Sequence, residues 1–115
     1  MIIGTGIDVV DINRFGESLE RTPGLMARLF TASEQTLPLS SLAARFAAKE
    51  AIAKAVDNKE IFSFLDVEVF NHPSGKPDFR FTGGMATLLQ SVRVHLTLSH
   101  DAGIASAMVI LEELP

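Results

Sequence analysis

Residues 39–56, LSSLAARFAAKEAIAKAV, are a run of strong helix formers, and their reading decides the fold. At about 100° per residue, Leu39, Leu42, Ala43, Phe46 and Ala53 converge on one stripe, and Glu50 falls inside it. Lys54 follows Glu50 by one turn on the same side. A carboxylate among apolar side chains costs too much to stay unpaired, so it must meet a cation, a metal or a proton.

Asp8 raises the same question near the N-terminus, where Ile2, Ile3, Ile7, Val9 and Val10 surround it. Each acid alone has a bland explanation. Glu50 pairs with Lys54 at the wet margin of a helix, or Asp8 caps a helix that begins near Val9 or Val10. Taken together they point further. Two carboxylates from separate elements make a hard-cation site of the kind Mg²⁺ uses, with water and phosphate oxygens completing the shell.

A chain of 115 residues is sized for one domain, residues 1–115, with a modest core. Its mean hydropathy of +0.26, with only 21% charged residues, is oily for so small a protein, which predicts surface buried against other subunits. The formal net charge of −4 argues against general nucleic-acid binding, which needs a basic face. With no cysteine, disulfides, thiolate metal sites and cysteine nucleophiles are excluded. Met1-Ile-Ile-Gly4 lacks the basic leader and apolar run of a signal peptide, and no stretch reaches membrane-spanning length. The expectation is a soluble cytoplasmic protein without membrane contact.

Outward from the long helix, Ile2–Val10 is a β-branched run interrupted by Gly4 and Gly6, which predicts a buried strand. Asp11–Arg21 turns helical, with Ile12, Phe15 and Leu19 on one side, and Pro23-Gly24 ends it. A short helix over Leu25–Phe30 follows, and Thr31-Ala-Ser-Glu34 has the form of a capping box for a third. Phe62–Asn71 alternates as a strand, and after the turn His72–Pro77, Asp78–Phe81 pairs back. Gly83-Gly84 opens a short helix through Ser91. Arg93–Leu98 and Ile104–Leu111 form a closing hairpin around a turn at Ser99–Gly103. Helices segregated from mostly antiparallel strands make the fold α+β, a sheet packed against one long helix and shorter ones.

Three blocks carry a resemblance: GTGIDVVDINRF (residues 4–15), RFAAKEAIAKA (residues 45–55) and LTLSHDAGIASAMVI (residues 96–110). In this order and spacing they resemble the holo-acyl-carrier-protein synthases, small 4′-phosphopantetheinyl transferases. LFTASE (residues 29–34) and SGKP (residues 74–77) match weaker features of the family. The chain departs from it at Val56-Asp-Asn-Lys-Glu60, where members commonly carry a glycine-rich segment. The resemblance implies Mg²⁺-dependent transfer of 4′-phosphopantetheine from coenzyme A to a serine of an acyl carrier protein, supporting fatty acid biosynthesis. It implies a homotrimer with active sites at the subunit boundaries.

Carried onto this sequence, the resemblance makes Asp8 and Glu50 the metal ligands and puts Lys54 near the phosphates. It puts the Ser99-His100 turn at the coenzyme A site, with His100 among the catalytic groups, Arg45 as a phosphate-binding arginine and Pro77 as part of the nucleotide wall. The residues fit that chemistry on their own terms. Mg²⁺ on two carboxylates polarises a pyrophosphate, and a lysine adds a point charge on the leaving side. A carboxylate or a water of the site is the expected acceptor of the serine proton. Arg14, Arg21 and Arg28 recur every seven residues. Composition favours a solvated face paired with Glu17 and Glu20, whereas the resemblance implies a docking point for the acidic carrier protein. Two rival readings remain open: a non-catalytic α+β ligand-binding module with a structural Glu50–Lys54 pair, and another Mg²⁺-dependent phosphotransferase. The second is weakened because no Walker-type loop or dinucleotide fingerprint is present.

Overall fold

The computed structural model describes every residue from Met1 to Pro115. A first strand, β1 (Ile2–Asp11), leads into α1 (Ile12–Arg21) and α2 (Leu25–Leu29). The long helix, α3 (Leu39–Val56), follows, then the hairpin β2 (Val67–Asn71) and β3 (Pro77–Phe81). A short α4 (Gly83–Leu88) leads to the closing hairpin of β4 (Val92–Asp101) and β5 (Ile104–Glu113). The three long strands form a sheet in the order β1–β5–β4, β2 and β3 form a second sheet, and every pairing is antiparallel. The α+β class read from the sequence is the observed one.

α3 lies across β1 and β5, and two glycines allow it to come so close. A Cβ at Gly4 or Gly6 would run into the backbone carbonyl of Ala55 or Ala51. On the helix side, Ala43, Ala47, Ala48 and Ala51 are completely buried and present only methyl groups. Glycine against alanine thus brings two backbones together and draws the Asp8 end of β1 up to the middle of α3.

The burial of α3 corrects the stripe expected from the sequence. Leu39 is 38% exposed, and Phe46, Glu50 and Ala53 are only partly buried. Of the expected stripe Leu42 and Ala43 are buried, and the closed side runs on through Arg45, Lys49 and Ile52 instead. Alanines around much of the helix let it be enclosed on several sides, so apolar content alone did not mark the inner face. Glu50 sits at the margin, on the side that opens to solvent.

β1 is also not buried on both faces. Ile7 is 62% and Val9 65% exposed, while Gly6 and Val10 face the helix. The closing hairpin turns more tightly than expected. Ala102 (φ 52°) and Gly103 (φ 78°) both take left-handed conformations, so two residues suffice and the strands run on to Asp101 and Ile104. Ser99 and His100 therefore belong to the end of β4 rather than to a turn. The Thr31–Glu34 segment keeps half of a capping box, with the Thr31 N–H donating to Glu34 Oε1 at 2.9 Å. Only a single 3₁₀ turn (Glu34–Thr36) follows it, because Pro38 lies too near for a helix. The first part of the Phe62–Asn71 segment is likewise a 3₁₀ turn, Phe64–Asp66, before β2 begins. The helix expected to reach Ser91 stops at Leu88.

Candidate active site

Asp8 comes from β1 and Glu50 from α3, and both line one groove of about 320 Å³ together with Asp11, Arg14, Phe15, Ser18 and Phe46. The two acids that looked misplaced in the sequence therefore share a space. Burial holds the Glu50 carboxyl above the usual carboxylate range, the negative charge of Asp8 pushes it the same way, and Lys54 opposes both.

Lys54 does not make the pair with Glu50 that the structural reading required. Its Nζ donates to Asp8 Oδ1 at 3.1 Å and to the Ile7 carbonyl at 2.8 Å. The Lys54 side chain remains 54% exposed, so its charge is still open to an anion. Asp8 does not cap a helix either. That role belongs to Asp11, whose Oδ1 accepts from the Arg14 N–H at 2.9 Å. An aspartate directly before the helical run from Ile12 was the signal that could have found it.

Arg14 and Arg21 lie exposed on α1 and Arg28 lies exposed on α2. Neither Arg14 nor Arg21 forms an ion pair with Glu17 or Glu20. The solvated-pair explanation is thus missing its contacts, and Arg14 sits in the groove of the two acids.

Arg45 is not placed as a phosphate-binding arginine would be. It is buried, donating from Nε to the Val69 carbonyl at 3.3 Å and from Nη2 to Asn71 Oδ1 at 3.4 Å. Its guanidinium is engaged within the chain, where it ties β2 to α3. Ser99 lies beside Ile7, Ser106 and Met108 in a shallow groove on the outer face of the sheet. Pro77 and Lys76 lie in another groove, between β3 and β4. His100 is exposed at the end of β4, opposite Ala105. Within one chain these residues do not share the Asp8–Glu50 groove. The segment lacking glycine solves its geometry differently, with Asp57 taking the left-handed position (φ 51°) at the end of α3.

With this geometry in view, comparison with known proteins is decisive. The profile of the family described as the 4′-phosphopantetheinyl transferase superfamily matches residues 4–107. The chain belongs to that superfamily. It is 50% identical over 115 residues to a holo-[acyl-carrier-protein] synthase of Clavibacter michiganensis subsp. michiganensis, covering 97% of each chain. Its fold is similar to that of the holo-[acyl-carrier-protein] synthase of Neisseria meningitidis, with a TM-score of 0.89, 31% identity and coverage of 98% and 100% of the two chains. A holo-(acyl-carrier-protein) synthase of Bacillus anthracis in complex with CoA (3′,5′-ADP) is similar at a TM-score of 0.81 and 38% identity, with 98% of each chain covered. The superfamily match takes in all three blocks except the last residues of the third, so both acids of the groove lie within the matched residues.

Proposed function

We propose that this chain transfers 4′-phosphopantetheine from coenzyme A to a serine hydroxyl of an apo acyl carrier protein, releasing adenosine 3′,5′-bisphosphate. The observation that carries this reading is the groove in which Asp8 and Glu50, from two elements, face one space beside Arg14. Membership of the superfamily and the synthase names of its relatives support the reaction. The work belongs to fatty acid biosynthesis in the cytoplasm, and no helix of the fold is long and apolar enough to cross a membrane.

The donor set of the groove suits Mg²⁺. No group of three or more His, Asp or Glu side chains that could hold a metal by itself forms in the fold. Two carboxylates leave the other positions to water and substrate phosphates, which is the usual habit of this ion. Bound there, Mg²⁺ supplies Lewis-acid polarisation of the pyrophosphate and offsets its growing charge. Lys54 steadies the Asp8 carboxylate and offers its open ammonium to the leaving side. The serine oxygen bonds to the phosphorus that carries pantetheine as the bond to the bridging oxygen breaks. The electron pair leaves on adenosine bisphosphate, and the carboxylates lining the groove are the proton acceptors at hand. Arg14, Arg21 and Arg28 present the basic surface on which an acidic carrier protein docks.

The remaining coenzyme A contacts, from Ser99, His100, Pro77 and Lys76, open onto other surfaces of the same chain. A homotrimer resolves this by letting one subunit complete the groove of the next. The outer face of the sheet supports that assembly, because Ile7, Val9 and Met108 stand on it at 62%, 65% and 42% exposure. Light scattering should give a trimer, and a fully active monomer would overturn the assembly.

Mass spectrometry of apo carrier protein incubated with this protein, coenzyme A and Mg²⁺ tests the activity. The carrier should gain one phosphopantetheine, and a chelator should abolish the gain. No gain on any apo carrier protein would sink the reading.

A further inference from the structure

α3 is gripped on the side away from the groove by a second charged cluster that touches no reacting atom. Lys49 and Glu34 are an ion pair with Nζ and Oε1 2.7 Å apart, and their side chains are 0% and 1% exposed. The same Nζ donates to the Leu29 carbonyl at 2.7 Å and to the Phe64 carbonyl at 3.0 Å. All three ammonium hydrogens are thereby used. Glu34 accepts from the Thr31 N–H at 2.9 Å and, through Oε2, from the Val69 N–H at 2.8 Å. One lysine of α3 is thus bound to the end of α2, the turn before the helix, the turn before β2, and, through Glu34, β2 itself.

The rest of the packing explains what such a grip is for. α3 meets its surroundings largely through Ala43, Ala44, Ala47, Ala48, Ala51 and Ala55. Methyl groups make low ridges, and dispersion has no direction, so these contacts set how near the helix lies better than how it is turned. Hydrogen bonds to a single ammonium are directional and do fix the turn. Glu50 is the next residue, about 100° further round the helix. A turn of α3 released at Lys49 would swing Glu50 along the groove and away from Asp8. Stability alone is a weak reason for charge at this place, since apolar replacement of a buried ion pair is often neutral.

We propose that Lys49 and Glu34 are positioning residues of the transfer site, whose bonds set the rotation of α3 and so hold Glu50 and Lys54 toward Asp8. The inference rests on the reading of Asp8 and Glu50 as a cation site. Neither residue touches substrate. They act through the backbone of the helix that carries Glu50.

The test is a Glu34→Gln/Lys49→Met double variant, which removes both charges yet keeps an acceptor for the Val69 N–H. Mn²⁺, a hard cation probe for an oxygen site, is titrated into the free protein and followed by electron paramagnetic resonance. This readout is independent of turnover. The folded variant should bind Mn²⁺ about 10–100-fold more weakly, with kcat lowered by a similar factor, as for outer-shell partners of other metal ligands. A folded variant with the parent's Mn²⁺ affinity overturns the inference. A parent protein that binds no Mn²⁺ sinks the underlying reading instead. Should the double variant fail to fold, Lys49→Gln, which keeps one neutral donor, is measured against the same criterion. If that also fails to fold, the pair serves stability alone and the proposal falls.

Discussion

Lys49 and Glu50 are neighbours in sequence and opposites in setting. Lys49 is enclosed, and every hydrogen of its ammonium is bonded to a fixed acceptor. Burial pulls its pKa below the ordinary lysine value, and the hydrogen bond to Glu34 pulls it back up. Glu50 stands at a groove, with another acid nearby and no hydrogen-bond or ion-pair partner of its own. The deeper charge is the satisfied one, and the shallower charge is left wanting a cation. Depth does not mark the reactive group here. What marks it is an unmet electrostatic demand facing a space that a ligand can enter.

The comparison is broken most sharply on the Glu50 side. Glu50→Gln keeps the shape of the side chain and removes the charge proposed to hold the cation. Transfer should fall about a hundredfold or more, while the circular dichroism spectrum stays native. Near-normal turnover across a range of Mg²⁺ concentrations would deny Glu50 its role. The reverse pattern belongs to Lys49. Lys49→Met strands the Glu34 carboxylate in the core and should cost about 3–5 kcal/mol of stability, read as a lower denaturant midpoint. A variant as stable as the parent would mean that the ion pair does not hold the core.

Much of the fold was legible because its signals were local. Glycines at Gly4 and Gly6, the β-branched residues of the strands and the helix formers of α3 each named their own element. The inner side of α3 was not legible, and the reason is instructive. Charge on an apolar stripe was the argument made for Glu50, yet it applies better to Lys49, which has Leu42 seven residues before it and Ile52 three after. With alanine on nearly every side of the helix, two stripes looked alike. Only the approach of β1, β5 and β2 decides which one closes. Asp8 and Glu50 do line one groove, and each had stood out in the sequence against its own apolar neighbours. Arg45 was misread because its partners, the Val69 carbonyl and Asn71, lie 24 and 26 residues away on β2.

A smaller effect separates the rim of the groove from its floor. Arg14 shares the groove with Glu50 but is exposed on α1, so its charge should act on the encounter with the carrier rather than on chemistry. Arg14→Glu should raise the carrier's KM several-fold, leave that for coenzyme A nearly unchanged, and lose much of its effect at high salt. Steady-state kinetics at two ionic strengths decide this. An unchanged carrier KM would move the docking surface to Arg28 and α2.

The smallest effect concerns stability against pH, and its sign distinguishes the two neighbours. The Glu50 carboxyl is raised in the folded protein by burial and by Asp8. Between the ordinary carboxylate value and that raised one, the native state binds more protons than the unfolded chain, so stability falls as pH rises through the window. Glutamine has no proton to lose. In metal-free protein Glu50→Gln should therefore melt slightly above the parent at neutral pH, and the difference should close as pH falls below the ordinary carboxylate range. Mg²⁺ should act the other way, raising the melting temperature of the parent by binding its folded state and leaving the glutamine variant unmoved. Melting curves across that range, with chelator and with Mg²⁺, give both readings. A difference between the two proteins that ignored pH would mean that Glu50 carries no raised carboxyl, and the contrast with Lys49 would lose its electrostatic basis.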